Sequence, residues 1–168
     1  FLANGLGRYR SAQARDALLV LLFADHAQVQ MQAVANLELL NDVSLVPALI
    51  NRATKEITAR RVRQGAARAL GSLKDPRAVA PLVLLLARPD VGVRKAAVRA
   101  LGSVGDTRAV PVLLTLLNDV ELGPVVIDAL EQLKDRRAAA GLVKIAADAL
   151  QPTPIRAKTL WVLGSLAD

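Results

Sequence analysis

The sequence has 168 residues, a net charge of +7 at neutral pH and no cysteine, which excludes disulfides, thiolate metal sites and thiol catalysis. Hydrophobic residues make up 53% of the chain but aromatic residues only 2%, so leucine, valine and alanine must form the interior. The longest uncharged apolar run, residues 78–87, is too short to cross a bilayer, and no membrane span is predicted. A chain without cysteine fits a reducing compartment, and the cytoplasm is the expected location.

One leucine recurs along the chain at a nearly constant interval and serves as the anchor of a sequence repeat. The anchors are Leu6, Leu37, Leu70, Leu101, Leu130 and Leu163. Their successive separations are 31, 33, 31, 29 and 33 residues. Such a period with small insertions and deletions is typical of stacked helical repeats, in which each unit buries its apolar face on its neighbours.

The repeats predict eleven helices in a single array. In chain order, these are a truncated helix at 1–8, then helices at 12–24, 27–40, 43–53, 58–73, 76–87, 91–104, 107–118, 122–133, 136–150 and 153–167. The predicted units are 1–25, 26–57, 58–89, 90–118, 119–151 and 152–168, of which the first and last are truncated. Because solenoids normally carry polar capping repeats, we expect the chain to be a segment of a longer array, with the remaining repeats or domains as its neighbours.

Each unit pairs a first helix, which carries the anchor, with a second helix. Apolar residues stand eight, four and three positions before the anchor, so they share one face of the first helix with it. In the clearest copy these residues are Val93, Ala97, Val98 and Leu101. Aspartates that precede the helices are interpreted as N-terminal caps rather than catalytic acids. They are Asp25, Asp90 and Asp119 before first helices, and Asp42, Asp75, Asp106 and Asp135 before second helices, with Ser11 in the equivalent place of the first unit.

The phrase V-R-x-x-A-x-x-A-L-G-S-x-x-D-x-R-A-V-x-x-L stands at residues 62–82 and again at 93–113. It resembles the HEAT-repeat superfamily and, within it, the short repeats named after phycobilisome lyase subunits. The resemblance implies an all-α fold, an α-α superhelix that forms a right-handed solenoid of helical hairpins. It also implies that the first helices line the convex face and the second helices the concave face, and that the chain is a scaffold or adaptor for other macromolecules.

On that resemblance, the concave face presents the residues two, five, six and nine positions after each capping aspartate. Small and apolar side chains are edged there by a ladder of Arg77, Arg108 and Arg137, which suits acidic groups of a protein partner. The residues expected to contact the partner are Asn51, Arg77, Pro81, Leu84, Arg108, Pro111, Thr115, Arg137 and Lys144.

The positive charge lies in the middle repeats and supports an alternative function. Residues 52–108 carry 13 Lys and Arg against 4 Asp and Glu, a net charge of +9, while the segments on either side are each −1. A basic patch of seven residues could hold the phosphates of a nucleic acid, although it contains no aromatic side chain on which bases could stack. The patch is Arg60, Arg61, Arg63, Arg68, Arg94, Lys95 and Arg99. A third alternative, a bilin-lyase-like subunit or chaperone, follows from the family resemblance alone.

No residue pattern predicts catalysis, a metal site or a cofactor. His26 is the only histidine and is interpreted as a solvated turn residue. The same superfamily includes a di-iron hydroxylase with His-Glu pairs, and this sequence has none. Three serines recur with the repeat and have no histidine near them in sequence, so they are interpreted as structural; they are Ser72, Ser103 and Ser165.

Other recurrent or irregular residues are given structural interpretations. Four glycines are expected to allow tight helix packing: Gly7, Gly71, Gly102 and Gly164. We expect Arg63, Arg94 and Arg156 to form a ladder against cap carboxylates such as Asp75 or Asp106, with partner binding as the alternative. Trp161 is expected to occupy a water-facing position and to cover the end of the array or contact its continuation. Its sister residues are taken to be Asn36, Arg68, Arg99 and Asp128.

Overall fold

A computed structural model describes residues 12–56 and 58–167 of the chain. This part of the chain contains ten α-helices and no strand, which confirms the all-α prediction. The helices are α1 (Ala12–Leu22), α2 (Ala27–Leu40), α3 (Val46–Thr54), α4 (Arg60–Leu73), α5 (Val79–Leu85), α6 (Val91–Val104), α7 (Val110–Thr115), α8 (Gly123–Leu133), α9 (Ala139–Ala147) and α10 (Thr153–Ala167). They correspond to the second through eleventh predicted helices. The predicted helix at 1–8 and the predicted cap Ser11 lie outside the described residues.

The second helices α3, α5, α7 and α9 each begin with a 3-10 turn, so their α-helical part starts three residues later than predicted. The turns are Val43–Leu45, Pro76–Ala78, Thr107–Ala109 and Arg136–Ala138. In each turn the preceding aspartate accepts a hydrogen bond of 2.8 to 2.9 Å from the backbone N–H two residues further on. The carboxylate thereby satisfies an N–H group that the start of a helix leaves free. The predicted caps Asp42, Asp75, Asp106 and Asp135 are confirmed.

The three aspartates before first helices differ from one another. Asp90 caps α6 by accepting a hydrogen bond from the N–H of Val93 at 2.8 Å. Asp119 accepts hydrogen bonds from Glu121 and Leu122 in the turn that leads into α8. The prediction for Asp25 is wrong, because the residue directly before α2 is His26, and no side chain caps this helix.

The helices stack in two layers that follow the order of the sequence. The first helices α2, α4, α6, α8 and α10 pack successively against one another, and each second helix contacts the first helix that follows it. The apolar side chains of both layers form a continuous core. The anchors of α2, α4, α6 and α8 are fully buried at equivalent places in this core, and they are Leu37, Leu70, Leu101 and Leu130.

Two glycines let neighbouring first helices approach closely. A Cβ atom added at Gly71 would lie 2.8 Å from the Cα of Ala100, and one at Gly102 would lie 2.8 Å from the Cα of Ala129. No side chain fits at that distance, so the predicted packing role of both glycines is confirmed. Gly164 is different, because a Cβ there would meet no atom within 4 Å. Gly7 lies outside the described residues.

Asn36 contradicts the predicted water-facing position. It is 4% exposed, and its Nδ2 donates to the carbonyl oxygen of Gln32 at 2.7 Å. Asn36 stands one residue nearer to its anchor than Arg68 or Trp161 does to theirs, and one residue turns a helix by about 100°. Its true equivalents are buried alanines, namely Ala69, Ala100 and Ala129.

Among the helices of residues 12–56 and 58–167, none combines the length and the apolar character that a membrane span requires.

Candidate functional site

The second helices and the 3-10 turns before them form one surface, here called the second-helix face. It comprises the residues two, five, six and nine positions after each capping aspartate. In all four repeats positions two, five and nine are exposed and position six is partly buried. The face consists of Ser44, Pro47, Ala48, Asn51, Arg77, Ala80, Pro81, Leu84, Arg108, Pro111, Val112, Thr115, Arg137, Ala140, Gly141 and Lys144. All nine predicted contact residues therefore belong to one solvent-facing surface, whereas their contact with a partner stays a prediction.

Along one edge of this face, the arginine ladder makes a repeated set of intramolecular contacts. The guanidinium of Arg77 donates to both carboxylate oxygens of Asp75, with Nη2 2.7 Å from Oδ2. The same Nη2 donates to the carbonyl oxygen of Val43, in the preceding repeat, at 3.2 Å. The corresponding contacts further along are Arg108 with Asp106 and the carbonyl of Pro76, and Arg137 with Asp135 and the carbonyl of Thr107.

These contacts change the electrostatics of the ladder. Hydrogen bonds from the arginine side chain, and then from its backbone N–H, lower the pKa of Asp75, Asp106 and Asp135. Each carboxylate is therefore charged at neutral pH and balances its guanidinium. The arginine side chains remain 58 to 68% exposed, so an acidic partner can reach them but must share them with the aspartates.

A groove of about 530 Å³ lies on the second-helix face between α7 and α9. Two predicted contact residues, Arg137 and Lys144, stand at this groove together with Asp148. Leu114, Leu117 and Ile145 supply apolar lining. A Cβ at Gly141 would lie 2.8 Å from Cδ2 of Leu114, so glycine lets that leucine lie against the backbone of α9. The groove thus combines an apolar lining with two cations and one carboxylate.

The predicted basic patch divides into residues with different partners. Arg68, Lys95 and Arg99 line a groove of about 340 Å³ between α4 and α6, here called the basic groove, together with Ser72 and Ser103. Two of its cations have acidic partners: Arg68 pairs with Glu38 at 3.0 Å, and Lys95 pairs with Glu121 at 2.6 Å.

The other members of the patch lie outside the basic groove. Arg60 pairs with Asp90 at 3.2 Å. Arg61 is exposed on α4.

Of the three arginines expected to bind cap carboxylates, Arg94 does so, whereas Arg63 and Arg156 bind carbonyl groups. Arg63 donates to the carbonyl oxygens of Ala53, Lys55 and Glu56, at the end of α3. In the same way, Nε of Arg156 donates to the carbonyl oxygen of Ala146, near the end of α9, at 3.0 Å.

These two arginines therefore satisfy carbonyl groups that a helix end leaves free. Arg94 pairs with the predicted cap Asp119 at 3.3 Å, as expected of a ladder against cap carboxylates. Asp75 is twelve residues beyond Arg63, and this separation along α4 amounts to about 18 Å.

Trp161 is 63% exposed on α10, and its neighbour Leu160 is 59% exposed. Leu160 stands three positions before its anchor, where Ala67, Val98 and Ile127 are fully buried. Trp161 therefore does not cover the apolar surface of α10. A contact with a continuation of the array stays a prediction.

Sequence reasoning missed a buried polar cluster around Arg52. This residue is 5% exposed, and its neighbours are Gln30 and Phe23. The available signal was a departure from the repeat, because the same position holds Leu85, Leu116 and Ile145 in the later repeats.

The repeated geometry agrees with comparisons to known proteins. Residues 56–125 match the sequence model of the family described as HEAT repeats. Residues 56–125 are therefore similar to HEAT repeats. A comparison with curated proteins finds no match.

Several solved structures share the fold of this helical array. The complex of CpcE and CpcF of phycocyanin lyase from Nostoc sp. PCC7120 matches with a TM-score of 0.76 and 22% identity, over 90% of this chain and 64% of that chain. An engineered protein matches with a TM-score of 0.64 and 21% identity, over 98% and 88%. A computationally designed armadillo repeat protein for modular peptide recognition matches with a TM-score of 0.59 and 17% identity, over 97% and 91%. The array thus spans less than two thirds of the phycocyanin lyase chain, and the likeness identifies a repeat solenoid.

Proposed function

We propose that the chain is a non-catalytic HEAT-repeat scaffold that binds a protein partner through the second-helix face. The observation that carries this proposal is the row of exposed side chains at position five of each repeat, which are Pro47, Ala80, Pro111 and Ala140. None of them is charged, and the interior of a protein interface is depleted in charged residues. A row that recurs once per repeat suits a partner segment that runs along the array.

The chemistry of the partner is inferred from the groove between α7 and α9. Arg137 and Lys144 favour a segment that carries an acidic side chain next to an apolar one. Leu84, which is exposed two repeats before Lys144, supplies a second apolar contact. Support for this mode of binding also comes from the designed armadillo repeat protein with the same type of fold, which is described as made for modular peptide recognition.

The test begins with selection of binding peptides from a random display library and measurement of their Kd. Leu84→Ser removes an apolar contact from the second-helix face, and we expect it to raise Kd by roughly 5- to 30-fold, as truncation of a central interface side chain does. The matched control is Leu39→Ser on α2, because Leu39 and Leu84 are both 66% exposed.

Leu39→Ser is expected to leave Kd unchanged. Peptides whose affinity depends on Leu39 but not on Leu84 would contradict the proposal, and so would failure of every selected peptide to protect the second-helix face from hydrogen exchange.

The basic groove favours a second candidate function, the binding of a polyanion such as a nucleic acid. Its lining combines three cations with two serine hydroxyls, and phosphates accept hydrogen bonds from both kinds of group. We expect Arg99→Ala to weaken binding of a single-stranded oligonucleotide and to reduce the dependence of log K on log salt by about one ion. Arg136→Ala, which removes an exposed arginine outside this groove, is the control. Binding that is insensitive to salt would contradict this candidate.

A bilin-lyase-like or chaperone role is a third candidate, and its support is the likeness in fold to the complex of CpcE and CpcF. Transfer of a bilin to an apoprotein in the presence of this chain would test it directly.

A further inference from the structure

One repeat departs from the others in its interior. The tenth position after the capping aspartate holds Leu85, Leu116 and Ile145 in three repeats, but it holds Arg52 at the end of α3. Leu85 and Ile145 are buried, and Arg52 is only 5% exposed. A guanidinium group therefore occupies a place that aliphatic side chains fill elsewhere in the array.

The surroundings of Arg52 leave part of its guanidinium without a partner. Nη2 donates to Oε1 of Gln30 at 2.7 Å, and Cζ lies 5.2 Å from the centre of the Phe23 ring. Nε is buried and has no hydrogen-bond acceptor. In the described residues, no carboxylate forms an ion pair with Arg52.

Gln30 is a second departure from the repeat. It stands seven positions before its anchor, where Arg63 and Arg156 donate to carbonyl groups of the preceding second helix. Nε2 of Gln30 keeps this type of contact by donating to the carbonyl oxygen of Ala24. Its Oε1 accepts a hydrogen bond from Arg52. At the position that Arg63 and Arg156 occupy in their repeats, this repeat therefore has a neutral side chain whose oxygen faces the buried guanidinium.

This arrangement leaves a buried positive charge uncompensated. A desolvated charge without an opposite charge is strongly unfavourable in a protein interior, and burial lowers the pKa of Arg52. The ring of Phe23 and the amide oxygen of Gln30 offset part of that penalty. Phe23 is itself 48% exposed, so the ring that contacts Arg52 also reaches solvent.

We propose that Arg52, Gln30 and Phe23 form a binding site for an oxyanion, either a carboxylate or a phosphate group carried by a ligand. The oxyanion enters beside Phe23 and accepts hydrogen bonds from Nε of Arg52 and from a second N–H of the same guanidinium, a geometry that arginine provides for planar and tetrahedral oxyanions. The site is independent of the second-helix face, because a chain that binds no peptide there can still bind an anion at Arg52.

The experiment compares thermal unfolding of the wild-type chain and Arg52→Leu at constant pH and ionic strength, with sodium chloride replaced stepwise by sulfate, inorganic phosphate or acetate. The wild-type Tm is expected to rise and to saturate with at least one oxyanion, as linkage between binding and folding requires. Arg52→Leu is expected to lose that rise. Its Tm in chloride alone should exceed the wild-type value by roughly 2–8 °C, because leucine restores the side chain type of the later repeats.

Arg61→Leu is the matched control, because it removes the same charge from an exposed arginine on α4. It should retain the oxyanion-dependent rise. A response to acetate identifies carboxylate as the source of the oxyanion, and a response to phosphate and sulfate alone identifies phosphate. An equal rise in wild type and Arg52→Leu, or no rise in wild type with any of the three oxyanions, overturns the proposal.

A spectroscopic measurement covers the case in which Arg52→Leu does not fold. The Nε–H signal of Arg52 in the ¹⁵N-arginine-labelled wild-type chain is assigned by its loss in Arg52→Lys, which keeps the charge. This signal should shift and saturate over the same range of oxyanion concentration. A signal that does not move when the oxyanion is added overturns the proposal.

Discussion

The residue directly after the anchor decides how two neighbouring first helices meet. Where it is glycine, as at Gly71 and Gly102, the backbone of the next helix lies against it. Where it is Glu38, the carboxylate accepts hydrogen bonds from Arg68 at 3.0 Å and Ser72 at 2.9 Å. The same position thus provides either a close backbone contact or a polar side-chain contact, and the size of one side chain selects between them.

Gly71→Ala is expected to destabilise the chain by about 1–3 kcal/mol, because the added methyl group forces α4 and α6 apart. Gly164→Ala is the matched control. A Cβ there meets no atom within 4 Å, and the higher helix propensity of alanine should stabilise the chain by up to about 1 kcal/mol. Urea unfolding followed by circular dichroism measures both. Equal effects of the two substitutions would contradict the packing role of Gly71.

Arg63 belongs to the predicted basic patch, but its contacts within the chain are structural. Its three hydrogen bonds to carbonyl groups hold the end of α3 against the start of α4. Arg63→Leu should destabilise the chain by about 1–3 kcal/mol, because it removes three hydrogen bonds from the guanidinium, one of them to the partly buried carbonyl group of Ala53. Arg61→Leu, two residues earlier and exposed, should stay within about 0.5 kcal/mol of wild type. Thermal unfolding measures the stability of both variants. If Arg63→Leu leaves the Tm unchanged, Arg63 is again a candidate for partner binding.

Successive second helices are joined by an aspartate and an arginine acting together. The aspartate caps its own 3-10 turn, and the arginine at position two connects that aspartate to the turn of the repeat before. The repeat that begins at Asp42 lacks this link, because Ser44 stands in place of the arginine. Asp42 is instead joined to the preceding second helix α1 by Arg15, at 3.8 Å. In all four repeats an arginine therefore connects the capping carboxylate to the repeat before.

These links predict how stability depends on pH. The folded-state pKa values of Asp75, Asp106 and Asp135 are lowered, so their stabilising effect is complete above the ordinary carboxyl pKa of about 4. It is lost as the pH falls through the lower folded-state values. We expect a constant contribution between neutral pH and pH 5 and a decline of Tm below about pH 4. Tm measurements across this range provide the test.

The triple substitution of Arg77, Arg108 and Arg137 by leucine is the control for the pH experiment. Without the guanidinium groups the three carboxyl pKa values move back toward their ordinary value, and the decline of Tm in acid should become shallower. An unchanged decline would mean that other carboxylates dominate the acid response.

The apolar core of the array extends along its length, and each first helix depends on its neighbours. α6 packs between α4 and α8, whereas α10 contacts α8 and α9 in the described part of the chain. Leu160 and Trp161 of α10 are correspondingly exposed. Stability in such arrays is approximately a sum of terms within repeats and between neighbours, so α10 should open more readily than α6.

Hydrogen exchange followed by mass spectrometry measures this difference. Amides of α6 should exchange far more slowly than those of α10 under native conditions. Trp161 is the only tryptophan, so its fluorescence in a urea titration should change before the helical signal does. Uniform protection and coincident transitions would instead show that the array unfolds as one cooperative unit.

The periodic residues made most of the fold predictable from the sequence. The anchors, their apolar stripes and the second-helix caps Asp42, Asp75, Asp106 and Asp135 depend on local helix geometry, and a regular spacing along the chain translates directly into one helical face. The exposure of the second-helix face could be predicted from the same regular spacing. Asp25 and Asn36 were assigned wrongly because a shift of one residue changes a cap or turns a side chain from solvent to the interior.

Residues separated by a whole repeat were not predictable in this way. Which acceptor Arg63, Arg77 or Arg94 reaches depends on how far one helix is displaced along the next, and the repeat period leaves that displacement open. The buried state of Arg52 likewise depends on Phe23, in the turn after α1, and on Gln30 of α2. Spacing within the chain fixes the direction of a side chain, whereas the packing of neighbouring repeats selects its partner. For this reason the architecture could be derived from the sequence. The site at Arg52 became visible only in the folded array.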